Sequence, residues 1–466
     1  MKTRFFSLAG LITVLLAVHW SFAAEPDDFN RPKYSPVLRQ NEDWSSLAGH
    51  DKSQTGNFFD PIKYIPLSED GNYWMSLGGQ VRFRFEGWRN FNFNKAFDDT
   101  FLLTRIRLHT DIHTGEYLRF FAEIKSAFST DRDLPGGRRP FDVDELDLQQ
   151  GFADVMLPIG ESGKLTFRAG RQFLLYGKQR LVSPLDWLNT MRTWDGFQGI
   201  FSLDDWKISG FGTQFVPVKK FDFNKADSGQ PFAGIHGTGM TGIAGISLDS
   251  YWLYRERKAL DEKRHTIGGR IFGKIGKSGI DYDFEAAYQF GDSGVKDVQA
   301  FMIGSQFGYR FTETAIKPRV YFGFDYGSGD KDPNDNKVRT FDQIYPLAHA
   351  FLGYIDIVGR QNIIDPNLGI TFTPLNKLTC EVDGHFFWRA KEEDALYNAG
   401  GIAARKGATG TSLEVGQEID LLLKYAYNIQ TLILLGYSHF FPGEFIKQTG
   451  PSDPVDFVYA SVQYTF

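Results

Sequence analysis

From Tyr73 onward the chain alternates oily and wet side chains. Met75, Leu77, Gly79, Val81, Phe83 and Phe85 take turns with Ser76, Gln80, Arg82, Arg84 and Glu86, the period of a strand with one apolar and one polar face. The run is long enough to cross a bilayer when tilted. The same texture returns with Ile106, Leu108 and Ile112 against Arg105, Arg107, His109 and Asp111, and with Tyr282, Phe284, Ala286, Tyr288 and Phe290 against Asp283, Glu285 and Gln289. Further on, Val320, Phe322 and Phe324 oppose Arg319, Tyr321 and Asp325, while Val382, Phe386 and Trp388 oppose Glu381, Asp383, His385 and Arg389. Val415, Ile419, Leu421, Leu423 and Tyr425 oppose Glu414, Glu418, Asp420 and Lys424. The pattern predicts an all-β fold, a transmembrane antiparallel up-and-down β-barrel of about eighteen strands. Sixteen stays open, because the stretches 197–216 and 238–256 are the least regular.

Connections should alternate between short periplasmic turns and longer outer loops. Short links fall at His113 to Glu116, Pro158 to Gly163, Asp204 to Asp205, around Leu248, Gly276 to Gly279, Thr312 to Thr314, Pro374 to Lys377 and Asn428 to Gln430. Every intervening link is expected to be longer, the extremes running from Leu175 to Gly196, Pro217 to Gly237, Ser328 to Asn362 and Ala390 to Ser412. At the end, Val458, Ala460, Val462, Tyr464 and terminal Phe466 share one face. This closing aromatic strand resembles the signal read by outer-membrane assembly machinery.

Upstream, Phe5 to Val18 is apolar, follows Lys2 and Arg4, and precedes Ser21, Phe22, Ala23 and Ala24. It reads as a signal peptide over 1–23, too short to span a bilayer as a helix. Residues 24–72, rich in proline and without sustained period, are expected to form a periplasmic N-terminal segment, with the barrel over 73–466.

Composition supports this reading. Aromatic residues make up 16% of the chain, with 44 Phe, 20 Tyr and 49 Gly, while the mean hydropathy of -0.30 is that of a soluble protein. Alternating strands reconcile the two. Loss of the signal takes two of the 51 basic residues, leaving 49 against 57 acidic ones, a net charge of -8. No global basic field for nucleic acid exists, so any anion site must be local. Cys380 is the single cysteine and has no disulfide partner in the chain.

Enzyme signatures are poor, and no catalytic residue is assigned. Gly237, Gly239 and Gly242 fit a dinucleotide fingerprint without its strand-to-helix setting and read as a glycine-rich strand. Gly276, Lys277 and Ser278 read as a tight turn. A hydrolase with Ser and His on the lipid-facing wall is kept as a minor alternative. Asp330, Asp332, Asn334 and Asn336 resemble the opening of a calcium loop, but the sixth-position Gly and twelfth-position Glu are missing. A plain polar outer loop is the preferred reading, and no cofactor is expected beyond that speculative calcium.

For a channel, the residues that matter face the lumen. Parity sends Arg82, Arg84, Arg105, Arg107, Arg168, Arg270, Arg319 and Arg389 inward, together with Asp283, Glu285, Asp325, Glu381, Asp383, Glu418 and Asp420. Arginines concentrate on the first strands, whereas acids dominate strands eleven, fifteen and sixteen. Each arginine either lines the pore or pairs across strands to stiffen the wall.

Several stretches resemble the bacterial alginate-export porin family. One is Gly170-Arg171-Gln172, Tyr176-Gly177 and Gln179-Arg180-Leu181-Val182, followed by Pro184, Trp187, Asn189, Arg192 and Asp195-Gly196. Another is Asp325-Tyr326-Gly327-Ser328-Gly329-Asp330, Thr340-Phe341-Asp342 and Tyr345-Pro346, with His349, Gly353, Asp356 and Gly359. Asp60 to Leu67 also fits, so the likeness covers most of the chain from Asp60. It implies an eighteen-stranded monomeric barrel with an arginine-rich, anion-selective constriction for an exopolysaccharide, adding Arg171, Arg180 and Arg192 to the pore candidates. Where the family often has a basic residue, this chain has Gln198. The leading expectation is an outer-membrane channel for alginate-like polymer export; the alternative is uptake of small carboxylates or sugars. Expected partners are the anionic solute, outer-membrane lipid and lipopolysaccharide, the assembly machinery through Phe466, and periplasmic export components.

Overall fold

The computed structural model describes residues 32–50, 57–243 and 245–466; the expected signal peptide lies outside them. Eighteen antiparallel strands close on themselves. They are β1 (Tyr73–Arg89), β2 (Asp99–Thr114), β3 (Leu118–Ser129), β4 (Asp144–Ile159), β5 (Gly163–Gln172) and β6 (Trp194–Leu203). Next come β7 (Trp206–Phe215), β8 (Pro231–Met240), β9 (Ser247–Arg257), β10 (Glu262–Lys274), β11 (Ile280–Ser293) and β12 (Lys296–Arg310). The circuit ends with β13 (Arg319–Gly327), β14 (Ile363–Leu375), β15 (Leu378–Arg389), β16 (Glu414–Ala426), β17 (Thr431–Pro442) and β18 (Val455–Thr465). Each strand pairs with the next, and β18 returns to β1 from Gln80↔Thr465 to Arg89↔Asp456. No described helix is long and apolar enough to cross a membrane.

Burial follows the two-residue period. On β1 the even-numbered residues from Trp74 to Glu86 are buried, and on β11 Asp283, Glu285, Ala287 and Gln289 are buried between exposed Phe284, Tyr288 and Phe290. The exposed face is the lipid face, where a charge at the bilayer midplane costs about 2–4 kcal/mol. Tyr117, Trp206, Tyr309 and Tyr425 stand exposed beside the short turns, as one aromatic girdle of a membrane barrel should. Both described ends of the barrel chain, Tyr73 and Phe466, lie at this turn end, which the loop-length rule assigns to the periplasm.

Three sequence expectations change. Two outer links are tight, 258–261 between β9 and β10 and 294–295 between β11 and β12. Gly294, at φ 58, lets the second hairpin close in two residues. Strand β8 starts at Pro231 rather than near Gly237, since proline needs no ladder N–H at a strand's first position. Its partner link spans 241–246, which leaves Leu248 inside β9. Finally, Val415 points inward and is fully buried, because a bulge slips the register between Phe387↔Gly416 and Trp388↔Glu414.

Residues 32–50 and 57–72 do not hang free below the barrel. They occupy its periplasmic mouth against the inner wall of β1 to β4. Pro36 and Val37 carbonyls accept hydrogen bonds from Gln80 and Arg107, and the Gln40 carbonyl accepts one from Arg119. Tyr34, Trp44, Leu47, Tyr64 and Trp74 form a small apolar cluster there. Helix α1 (Asp60–Lys63) follows, and Ile65–Pro66 pairs with Trp74 and Met75, covering the part of β1's edge that β18 does not reach.

Candidate functional site

Two outer loops turn into the lumen instead of out to solvent. The β5–β6 loop (173–193) and the β13–β14 loop (328–362) leave the wall at distant points and join in the middle. Tyr345 N–H donates to Leu181 O, Ser183 N–H to Tyr345 O and Leu347 N–H to Gln179 O, each at 2.9 Å, around a parallel bridge of Val182 with Tyr345. The result is a crossbar.

Its two flanks are filled with apolar side chains. On one side Leu181, Val182, Phe341, Ile344 and Tyr345 pack on Trp194, Phe211, Phe232, Leu253 and Met302 of β6 to β12. On the other, Leu352, Ile355 and Val358 pack on Phe387, Leu422, Phe440 and Phe457 of β15 to β18, with Phe445 and Ile446 of the short helix α2 (Glu444–Thr449). Each fully buried side chain of this kind contributes about 1.5–3 kcal/mol, so the crossbar is fixed to the wall. Position 353 suits glycine twice over: its φ is 84, and a Cβ there would collide with the Glu418 carboxylate, whose Oε1 accepts the Ile355 N–H at 2.9 Å.

The arginines of β1 and β2 grip this insert. Arg82 donates to the carbonyls of Asp186, Trp187 and Leu188, and Arg84 donates to Trp187 O while lying 4.0 Å over its ring. Arg105 bonds the Asp186 carboxylate at 2.6 Å. Burial works to raise the Asp186 carboxyl, yet Arg105, Arg82 and Arg107 overcome it and hold it below its ordinary value. Asn189 completes the clamp, donating to the carbonyls of Thr104, Phe128 and Asp142 at 3.1, 3.0 and 2.9 Å. Asn189→Ala leaves those buried carbonyls short of a donor; we expect a loss of about 1–3 kcal/mol, measured as earlier thermal unfolding in detergent.

The remaining sequence candidates are also engaged. Arg107 meets Glu123 at 3.0 Å, Arg168 meets Asp154 at 2.7 Å, and Arg319 meets Asp281 at 2.5 Å. Arg270 bridges Asp249 and Asp283, both at 2.8 Å. Arg171 is held at the outer rim by Asp147, Asp195 and the Asn224 carbonyl rather than at the crossbar. Arg180, on the crossbar, reaches across to Asp283 at 2.8 Å and Glu285 at 3.0 Å. Arg192 donates to Pro346 O, and Arg389 to the carbonyls of Glu392, Asp394 and Ser412. Gln198, where a cation was missed, bonds the Tyr176 hydroxyl at 2.7 Å.

Sequence reasoning did not find Arg255 and Arg360. Arg255 anchors Asp342, and Arg360 meets Asp325 at 2.8 Å. Arg360 lies in a loop, where no period tells direction; the only signal was its place beside the second motif.

The acidic outer loop forms no cage. Asp330 accepts from the Arg339 side chain and backbone, Asp335 pairs with Arg339 at 2.7 Å, and Asp332 accepts the Asn334 N–H. Among the described residues no group of three or more His, Cys, Asp or Glu could hold a metal ion.

A family model described as alginate export matches residues 73–459. No curated protein matches the chain. Among solved structures, Pseudomonas aeruginosa OccK11 (OpdR) superposes with a TM-score of 0.57 at 10% identity, over 87% of this chain and 97% of that one. OccD3 (OpdP) of the same organism gives 0.57 at 12%, over 87% and 93%. OccK2 (OpdF), solved in complex with glucuronate, gives 0.56 at 11%, over 84% and 98%. At such identities the likeness concerns the barrel alone.

Proposed function

This chain belongs to the alginate-export family and is an outer-membrane channel, and from that premise we propose that it passes an anionic exopolysaccharide outward by passive, electrostatically guided diffusion. The observation that supports this reading best is the arginine group of β1 and β2 held at the crossbar. Arg82 hydrogen-bonds only neutral oxygens, and the four arginines Arg82, Arg84, Arg105 and Arg107 face three carboxylates, Glu86, Asp186 and Glu123, which leaves one net positive charge in the group. Guanidiniums fixed this way present a standing positive potential to a solute without collapsing onto it, and each contact remains weak enough to release. Glu381, Asp383, Glu418 and Asp420 stand on β15 and β16, separated from β1 by β17 and β18, which makes the field uneven around the lumen.

A planar bilayer held under a salt gradient gives the test. The reversal potential should report anion preference, and Arg82→Gln should shift it towards zero; cation preference in the unmodified channel removes the reading.

One observation favours uptake of small carboxylates instead, namely the glucuronate complex of OccK2. Liposome swelling separates the two. Fast swelling in glucuronate but not in a neutral hexose supports uptake, whereas slow swelling with both leaves export of polymer as the function.

A further inference from the structure

Gly237, Gly239 and Gly242, which take no part in the lumen, border two adjoining hollows on the lipid side of the wall. Gly237 lines the first, Gly242 lines the second, and Gly239 lies beneath Trp206, which lines both. A Cβ on Gly239 would meet the Trp206 ring at 2.3 Å, so glycine lets the indole rest against the wall. Trp206 belongs to the girdle beside the short turns, which places both hollows at the periplasmic side of the membrane.

The first hollow is an apolar groove of about 1010 Å³. Gly237, Ser250, Gly269 and Ala286 stand in register across β8, β9, β10 and β11, with no large side chain among them. One row further from the turns, exposed Ile235, Trp252, Ile267 and Tyr288 form a continuous rim, and Ile271 and Phe284 rise on the near side. The groove is thus one side chain deep. Ser250 is two residues, about 7 Å, along the strand from Leu248, which pairs with Gly239 under the indole, so the groove runs among the tails of the periplasmic leaflet.

The second hollow, of about 600 Å³, lies between the turn Asp204–Asp205 and the described part of the link that follows β8. That link bends back onto the wall, where Tyr282 Oη donates to Gly245 O at 2.9 Å. Two acids, Asp204 and Asp205, and one base, Lys274, stand in its lining. Among the described residues none of the three makes an ion pair, and Asp281, across the ladder from Lys274, is taken by Arg319. Charges of both signs therefore wait at the interfacial end of an oily groove.

One molecule has both parts. In a bilayer the groove offers no hydrophobic gain over the surrounding tails, only a shape that an extended hydrocarbon chain fills by contact. Selection falls to the turn pocket. With two acids for one base it disfavours a net anion, and it suits a phosphate joined to a free ammonium, the phosphate towards Lys274 and the ammonium towards Asp204 and Asp205. We propose that the two hollows form a binding site for an ethanolamine phospholipid of the periplasmic leaflet, with an acyl chain in the groove and the headgroup in the turn pocket. The bound chain braces the wall where small residues leave it thin. The site lies outside the barrel and does not depend on which solute passes within.

The test offers the delipidated full chain, in detergent, equal amounts of dioleoyl phosphatidylethanolamine and dioleoyl phosphatidylglycerol and reads the retained lipid by native mass spectrometry. One ethanolamine lipid per chain is expected, favoured about tenfold over the glycerol lipid. The Asp204→Asn, Asp205→Asn double variant should bring that preference close to one. Ala286→Phe, whose ring fills the groove, should lose most of the retained lipid of either kind, and Ser250→Leu does the same from the neighbouring strand. Both positions face lipid, so large apolar side chains leave the fold intact, and thermal unfolding without added lipid should match the unmodified protein. Equal retention of the glycerol lipid, a preference that survives the double variant, undiminished retention in either groove variant, or displacement by the glycolipid of the outer leaflet overturns the proposal. Reversal potentials recorded on the same variants should stay unchanged, so failure of the lipid site and failure of the transport reading are seen separately.

Discussion

A channel from which residues 32–59 have been deleted is expected to carry several-fold more current than the full chain. The described residues of this segment, 32–50 and 57–59, lie in the periplasmic mouth, and Gln80, Arg107 and Arg119 bind them through polar contacts to backbone carbonyls. Water can replace such contacts once the segment leaves, whereas the apolar flanks of the crossbar have no such substitute. Keeping α1 and Ile65–Pro66 preserves cover for the edge of β1. Single-channel recording decides the matter, and an unchanged conductance would show that the segment does not obstruct the path.

Acidity should act on the same seat. Lys63 donates to Leu77 O inside the mouth, and its amine is pushed from 10.5 down to about 7 by burial and by Arg39, against the pull of Glu42 and Asp60. Free in water the amine would hold its proton up to about 10.5, so the unseated state binds more protons between about 7 and 10.5. Seating therefore strengthens as pH rises through that window and is weakest, and flat, below it. Conductance should fall between pH 7 and 9 in the full chain and stay level in Lys63→Met.

Arg39→Ala is expected to have the second large effect, a loss of about 3–5 kcal/mol in the docking of the segment, the usual range when one member of a buried ion pair is removed. Arg39 is buried, meets Glu42 at 2.6 Å, and donates to Gly79 O at 2.7 Å and Phe466 O at 2.8 Å. Those two carbonyls lie where the last strand meets the first, since Gly79 and Phe466 also exchange backbone hydrogen bonds. One guanidinium thus ties the segment to the barrel's seam. Its removal strands the Glu42 carboxylate, which among the described residues keeps Ser35 N–H and Trp44 Nε1–H as donors. The variant should approach the conductance of the deletion and unfold at lower temperature. Adding Glu42→Gln should recover part of the loss, because the orphaned charge is gone; no recovery would mean that the seam bonds, not the ion pair, hold the segment.

The resemblance motifs take on a physical meaning in this light. Val182 and Tyr345 make the bridge, Trp187 stacks on His349 with centroids 3.9 Å apart, Arg192 bonds Pro346 O, and Asn189 ties the loop to β2, β3 and the link after β3. The stretches that carry the resemblance therefore lie mainly in the two loops that cross the lumen. Strand residues need only alternate, so many sequences serve; a crossbar needs particular side chains at particular places.

Alternation by itself determined the barrel class, a count of about eighteen crossings with sixteen still open, and which side chains face inward on most strands. That follows because a one-residue slip would turn every polar residue of a strand into lipid, so register is written in the chain wherever one face is oily. It also located Arg82, Arg105, Arg270 and the acids of β15 and β16 on the inner wall. Only the tertiary structure decided what those groups meet: that loop carbonyls cover Arg82, that Arg180 reaches Asp283 across the lumen, and that a proline-rich segment lies in the mouth. Such contacts join residues far apart in the chain through segments with no period, where direction is set by packing against the wall rather than by any local rule.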